Sequence, residues 1–408
     1  MSLRDHLLSI YQAGLAAVDG RACVHRALQD QTVDTPVYVI AIGKAAPAML
    51  QGALDVLADR LRAGLLITKH GYAPARPLPA KIDVFEAGHP WPDQASLDAG
   101  EALLRFIDAA PADARVVFLV SGGTSSLVEV LPEGMALSEL HKANDWLLGS
   151  GLDIHVINYV RKALSCIKSG RLAQRLQGRP TRLMLISDVP GDDPATIGSG
   201  LLVPEILLET EAPWELPGWL EALMERAPPA PEEGDECFDN IETEIVASLG
   251  DATRAAAQQG RVLGYEVYEH HPFIGGDALL VGRRLAAELL QGPKVLHVWG
   301  GETTVRLPHN PGRGGRNQHL ALSAAIELDG RKNVALLAAA TDGTDGPTQD
   351  AGAVVDGVTV RHGRSEGLDA RRALSAANAG AFLAASGALI QTGPTGTNVM
   401  DLMLGIKQ

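Results

Sequence analysis

The sequence predicts an α/β protein of two domains, on three observations. Short apolar runs alternate with amphipathic stretches along most of the 408 residues, the pattern of strands covered by helices. In the first half the apolar runs are continuous, as expected of strands buried on both faces of a parallel sheet. One segment, residues 212–240, breaks the rhythm with APPAPEEGDE, whose prolines, glycine and acids read as a linker. With roughly 150 residues per domain as a prior, the expected domains are 1–230 and 231–408.

The elements follow in order. In residues 1–20, Leu3, Leu7, Leu8, Tyr11 and Leu15 fall at helical spacing, while Arg4, Asp5 and His6 interrupt any apolar core. This predicts an amphipathic helix rather than a signal peptide. PVYVIAIG (36–43) predicts a strand ending in glycine, followed by a helix over 45–61. Strands are expected at 63–69 and 81–88, then a helix over 96–110 with Ser96 as its N-cap. RVVFLVSGG (115–123) reads as a buried strand, 137–149 and 153–168 as helices, and TRLMLISDV (181–189) as a strand. Beyond the linker the spacing predicts helices over 242–259, 276–290 and 317–328, and strands over 265–270, 294–301 and 334–341.

Composition narrows the function. Hydrophobic residues at 46% and charged residues at 21% are globular values. With 35 Lys+Arg against 49 Asp+Glu, a net charge of −14, the chain lacks a broad footprint for nucleic acid or anionic lipid, so neither is an expected partner. A local cation cluster can still hold a small anion. Cys23, Cys166 and Cys237 are too few and too scattered for a disulfide scaffold or a thiolate zinc site, and the expected location is cytoplasmic. No run approaches the roughly 18 apolar residues of a membrane span.

Glycines, charges and hydroxyls collect where strands end and helices begin, the place where open α/β sheets bind ligands. Gly43-Lys44 ends a strand and opens a helix, putting a tight turn, free N–H groups and a point charge together. It is not a Walker A loop, since Tyr38 and Ala45 stand where that motif needs glycine and Ser or Thr. Ser121-Gly122-Gly123-Thr124-Ser125-Ser126 can turn N–H groups and hydroxyls toward a phosphate. Asn158, Arg161 and Ser165 fall at a spacing that one helix face can carry, within a basic stretch of Arg161, Lys162, Lys168 and Arg171, of which Lys162 is read as solvated. Asp188, Asp192 and Asp193 follow a strand and suit Mg²⁺ or a hydroxyl. In the second half, loops carry Glu302, Arg316-Asn317, Asp342-Gly343-Thr344-Asp345 and Asn398. Glu302, Asn317, Thr344 and Asn398 are candidate substrate or phosphate contacts, and Asp342 and Asp345 candidate metal ligands.

GKAAPAM, EAGHPWPD, SGGTSS, INYVRKALSCIKSGRLA, ISDVPGDD, GGETTV, GRGGRNQHLAL, ATDGTDGPTQDAGA and TGPTGTNVMDL occur in this order over residues 36–404. The set resembles the glycerate 2-kinase family of the MOFRL type. The resemblance implies ATP- and Mg²⁺-dependent phosphorylation of the 2-hydroxyl of D-glycerate. It implies an N-terminal Rossmann-like doubly wound sheet, a smaller C-terminal α/β domain and an active site in the cleft between them. The family's active-site lysine falls on Lys44 and its loop arginine on Arg316. Asp188 matches the aspartate of the family's SDVPGD motif and is a candidate either to accept the hydroxyl proton or to hold Mg²⁺. Ser121, Gly122, Gly123 and Ser125 fall in the Ser-Gly-Gly loop, which with Arg161 is a candidate for receiving the carboxylate of glycerate. The expected assembly is a monomer or homodimer. Some members are labelled hydroxypyruvate reductase, but a dinucleotide enzyme should carry G-x-G-x-x-G after a strand, and the chain has none. A kinase of a related hydroxy acid is the other alternative.

Overall fold

A computed structural model describes residues 2–29, 35–205 and 215–408. Residues 212–214 of the expected linker lie outside them. The chain forms two compact units, one of Gly20–Val246 and one of Met1–Asp19 with Ala247–Gln408. Both are α/β, as expected.

The Gly20–Val246 unit holds β1 (Val37–Ile42), β2 (Leu61–Lys69), β3 (Ile82–Ala87), β4 (Arg115–Val120), β5 (Thr181–Ile186) and β6 (Ile241–Ala247), in sheet order β3-β2-β1-β4-β5-β6. The first five run parallel. β4 is buried from Val116 to Val120, which explains its unbroken apolar run. The chain leaves β1 for β2 on one side, and β4 then joins β1 on the other. The order therefore reverses between β1 and β4, at the carboxyl ends of which a ligand crevice forms. Helix Ala46–Leu57 follows β1 with proline in its first turn. Helix Gln94–Ala109 starts at Asp93 rather than Ser96: the Asp93 side chain accepts from the Ser96 N–H, and Ser96 answers from three residues inside.

The second unit holds β7 (Val267–Glu269), β8 (Leu296–Gly301), β9 (Val334–Ala340), β10 (Gly352–Asp356), β11 (Leu389–Ile390) and β12 (Asp401–Lys407), in order β11-β10-β9-β12-β8-β7. This sheet is mixed: β12 runs antiparallel to both neighbours and only β7 and β8 pair in parallel. Helix Leu3–Ala17 belongs here. It buries Leu7, Ile10 and Tyr11, and the Tyr11 hydroxyl donates to Ala340 O at the end of β9.

The division differs from the expected 1–230 and 231–408 at both ends. The first helix packs with the second unit, and the stretch expected to be helix from 242 opens as β6. In IETEIVA, Glu242, Thr243 and Glu244 stand exposed in a row before Ile245, Val246 and Ala247, so no period-2 alternation marks this strand in the sequence. β6 joins the first sheet beside β5, and the helix begins only at Leu249, after the Ser248 cap. The proline-rich stretch is therefore a loop within one unit, not a boundary.

Candidate active site

The loops after β1 and β4 interlock at the reversal of strand order. Gly43 has φ +127, and a Cβ there would lie 2.2 Å from Ser121 Oγ, so only glycine permits the approach. Lys44 N–H donates to Gly122 O at 2.9 Å, and Ala45 N–H to Ser121 Oγ at 3.1 Å. Thr124 Oγ1 donates to the carbonyls of Ile42 and Ser121. Gly123 has φ +90, and a Cβ there would meet the His89 ring at 3.1 Å and Lys44 Cγ at 3.3 Å. Two motifs separated by about 80 residues thus become one surface. It combines an ammonium, a hydroxyl-rich turn and the start of a 12-residue helix whose N-cap, Ala45, offers no capping side chain. Such a helix start favours an anion.

Beside this surface opens a cavity of about 540 Å³. His89, Gly123, Ser125, Asn158, Arg161 and Lys168 are among the residues that line it. Asn158 and Arg161 come from helix Ile154–Ala163, as the spacing predicts. Ser165 lies past the end of that helix, where it is buried and donates to Glu129 Oε1. The expected three-residue face is therefore a two-residue face. Lys168 donates to Glu129 Oε2 and to Ser125 O, tying the Ser-Gly-Gly loop to the chain beyond the helix. Lys162 is not solvated as expected. It is buried and donates to Glu205 and Ala195 O, because Glu205 supplies the counter-charge. Burial lowers the pKa of Arg161, whose Nε donates to Asn144 Oδ1 at 2.9 Å. Glu129 and Asn144 were not singled out from sequence, since neither stands in a glycine-rich loop.

Asp188 is half-buried just past β5. Further along the loop, Asp193 accepts from the Ala195 N–H and the Thr196 hydroxyl, and Ser199 Oγ meets Ser125 Oγ at 2.7 Å. The loops after β4 and β5 are thus joined, with Asp192, at φ +55, on the turn between Asp188 and Asp193.

In the second unit, Arg316 opens helix Arg316–Leu328. Its Nε and Nη2 donate to the two oxygens of the fully buried Asp401, and its Nη1 to Glu302. Burial works to lower its pKa, but Asp401 and Glu302 hold the guanidinium above its usual value. Asp345 accepts from the backbone N–H groups of Asn317 and Gln318 at the start of that helix, so it serves as a cap rather than standing ready as a metal ligand. Asp342 Oδ1 accepts from the N–H and hydroxyl of Thr344. Asn398 is buried in the loop before β12. Asp401 and Asp350, the latter buried against Arg313, escaped the sequence reading because a carboxylate beside an apolar run shows its partner only once folded. Among the described residues no three His, Cys, Asp or Glu side chains are grouped to hold a metal ion.

The family model described as a domain of unknown function, DUF4147, matches residues 6–212, and the MOFRL family model matches residues 295–401. D-glycerate 2-kinase of Thermotoga maritima is 35% identical over 415 residues, covering 99% of this chain and 98% of that protein. Glycerate 2-kinase of Pyrococcus horikoshii is 36% identical over 389 residues, covering 91% of this chain and 87% of that one. The crystal structure of glycerate kinase from Thermotoga maritima matches this fold with a TM-score of 0.86 at 32% identity, over 100% of both chains. By motif order, fold and full-length similarity, the chain belongs to the glycerate 2-kinase family of the MOFRL type.

Proposed function

We propose that the protein is a D-glycerate 2-kinase, transferring the γ-phosphoryl group of ATP to the 2-hydroxyl of D-glycerate to give 2-phosphoglycerate and ADP. The observation that carries this reading within the molecule is the interlock of Gly43-Lys44 with Ser121–Gly123 at the β1/β4 reversal, beside a cavity with cationic and amide walls. Phosphoryl transfer asks a protein for positioning and charge stabilisation more than for covalent chemistry. Lys44 and the N–H groups of its loop offer positive charge to the phosphoryl oxygens. Arg316 does the same with an orientation fixed in advance: of the five N–H donors of a guanidinium, three are engaged by Asp401 and Glu302. Ser121, Gly122, Gly123 and Ser125 shape the loop around those oxygens, while Glu302, Asn317, Thr344 and Asn398 line the corresponding loops of the second unit.

The O–P bond to the acceptor forms as the bond between the γ-phosphorus and the β–γ bridging oxygen breaks, and the 2-hydroxyl proton passes to a base, either the Asp188 carboxylate or solvent water. Mg²⁺, when bound with the nucleotide, would offset the negative charge of the phosphates. It asks for only one or two protein carboxylates, and Asp188 and Asp192 on the loop after β5 fit that demand, with Asp342 as the counterpart in the second unit. Asp345, engaged as a helix cap, does not. Asp188→Asn separates the two duties open to that carboxylate. A raised Mg²⁺ requirement marks a metal ligand, and an altered pH profile at unchanged Mg²⁺ requirement marks a proton acceptor.

The test is a coupled assay of ADP release across a panel of hydroxy acids, run beside NADH and NADPH oxidation with hydroxypyruvate. ADP release that depends on D-glycerate is expected. Nicotinamide oxidation without ADP release would overturn the reading in favour of a reductase.

A further inference from the structure

We infer that Arg161, oriented by Asn144, is a carboxylate anchor that fits the cavity beside Lys44 to singly charged hydroxy acids, three-carbon and longer. The inference rests on the kinase reading and names the acceptor class for it.

Arg161 differs from every other cation of its segment. Lys162 faces Glu205, Lys168 faces Glu129, and Arg171 donates to the carbonyls of Pro228, Lys162 and Lys168. Arg161 makes one hydrogen bond, from Nε to Asn144 Oδ1, and among the described residues no carboxylate pairs with it. A half-buried guanidinium without a counter-charge is costly, and here it lines a cavity. Asn144 is itself buried in helix Leu137–Gly149, so it holds the guanidinium plane by its Nε edge. The two Nη groups remain for a ligand, in the planar fork that grips a carboxylate with two parallel bonds.

Charge and size set the class. Lys168 is neutralised by Glu129 inside the same wall, which leaves Arg161 as the uncompensated charge among these three. One positive charge complements a monoanion; a nucleoside triphosphate carries several charges and would leave most of them unmatched. The cavity, about 540 Å³, falls within the roughly 300–1,000 Å³ of sites for drug-sized ligands. A three-carbon acid leaves much of this volume for a longer chain, with Trp91 and Leu148 among the apolar lining. Gly123 lines the cavity and approaches Lys44 closely, so an acid anchored on Arg161 presents its hydroxyl end toward the lysine loop.

The test is calorimetric binding to the full chain of D-glycerate, the neutral amide glyceramide, the dicarboxylate tartronate, the four-carbon D-erythronate and a non-hydrolysable ATP analogue. Arg161→Gln is expected to weaken D-glycerate roughly 10–100-fold, the worth of a charge-assisted pair, while glyceramide and the ATP analogue bind as before. Asn144→Asp places a carboxylate on the guanidinium and is expected to give the same loss with Arg161 retained, which keeps the test available if Arg161→Gln fails to fold. Wild-type protein is expected to bind D-erythronate comparably and tartronate more weakly. Unchanged D-glycerate affinity in either folded variant, or a loss that falls on the ATP analogue, overturns the anchor. Binding needs no turnover, so the two readings fail separately. A parent without kinase activity whose glycerate affinity still depends on Arg161 removes the kinase and keeps the anchor. A working kinase indifferent to Arg161 does the reverse.

Discussion

Arg316 and Asp345 stand at one helix start and show how a charged residue is prepared by its neighbours. The fork of Arg316 is fixed by the fully buried Asp401 before any ligand arrives, so little reorganisation is left for the reaction. At Lys44 it is the backbone that is held, since its N–H donates to Gly122 O. Lys44→Ala and Arg316→Ala are each expected to lower kcat by on the order of 10²–10³, the typical loss for one charge-stabilising donor, with circular dichroism unchanged; near-normal turnover in both removes them from the chemistry. Asp345 makes a second, thermodynamic prediction. Burial raises its pKa from 3.8 to about 7, against the lowering effect of the Gln318 and Asn317 donors. The native state therefore holds this proton more tightly than the unfolded chain. The contribution to stability is complete below 3.8 and is lost as pH rises toward about 7, with a slope of up to roughly 1.4 kcal/mol per pH unit. Denaturant melts across that window should show the slope in the wild type and not in Asp345→Asn. An equal slope in both assigns it to other groups.

At the scale of elements, the site depends on loops held by buried polar networks. Glu129 accepts from Ser165, Lys168 and the Val130 N–H, and Lys168 also donates to Ser125 O. Both side chains of the ion pair are almost wholly buried. Lys168→Met leaves Glu129 charged and uncompensated, and is expected to destabilise the chain by about 3–5 kcal/mol in urea unfolding. A change below 1 kcal/mol, the worth of a surface pair, would mean that water reaches the carboxylate. The strand ends and the glycine loops were legible in the sequence because a buried parallel strand is a continuous apolar run and a close loop approach demands glycine. The network was not. Lys162 reads as an ordinary surface charge until Glu205 folds beside it, and nothing in the sequence marks Glu129 as the partner of Lys168 and Ser165. Ser96 was misplaced for a related reason: Asp93 and Ser96 are both good caps, and only the reciprocal bonds decide which is first.

At the scale of the molecule, two α/β units were expected and found, but the chain assigns its ends to them differently. Helix Leu3–Ala17 completes the second unit by burying Leu7, Ile10 and Tyr11, each worth about 1.5–3 kcal/mol of apolar burial. Their sum approaches the 5–15 kcal/mol net stability of a typical domain. Deletion of residues 1–19 is therefore expected to abolish hydrogen-exchange protection in β9 and β12 while β1, β4 and β5 stay protected; uniform protection would contradict this membership. Sequence order alone placed that helix with its chain neighbours, because no periodicity records which sheet a helix covers. The family motifs were legible because they mark strand ends, which tertiary packing moves little. The central claim is transfer of a phosphoryl group to the 2-hydroxyl of a hydroxy acid, and phosphorus NMR of the product formed from ATP, Mg²⁺ and D-glycerate tests it most directly. The expected result is 2-phosphoglycerate in step with ADP and lost in Lys44→Ala. Formation of 3-phosphoglycerate, or of free phosphate alone, would contradict it.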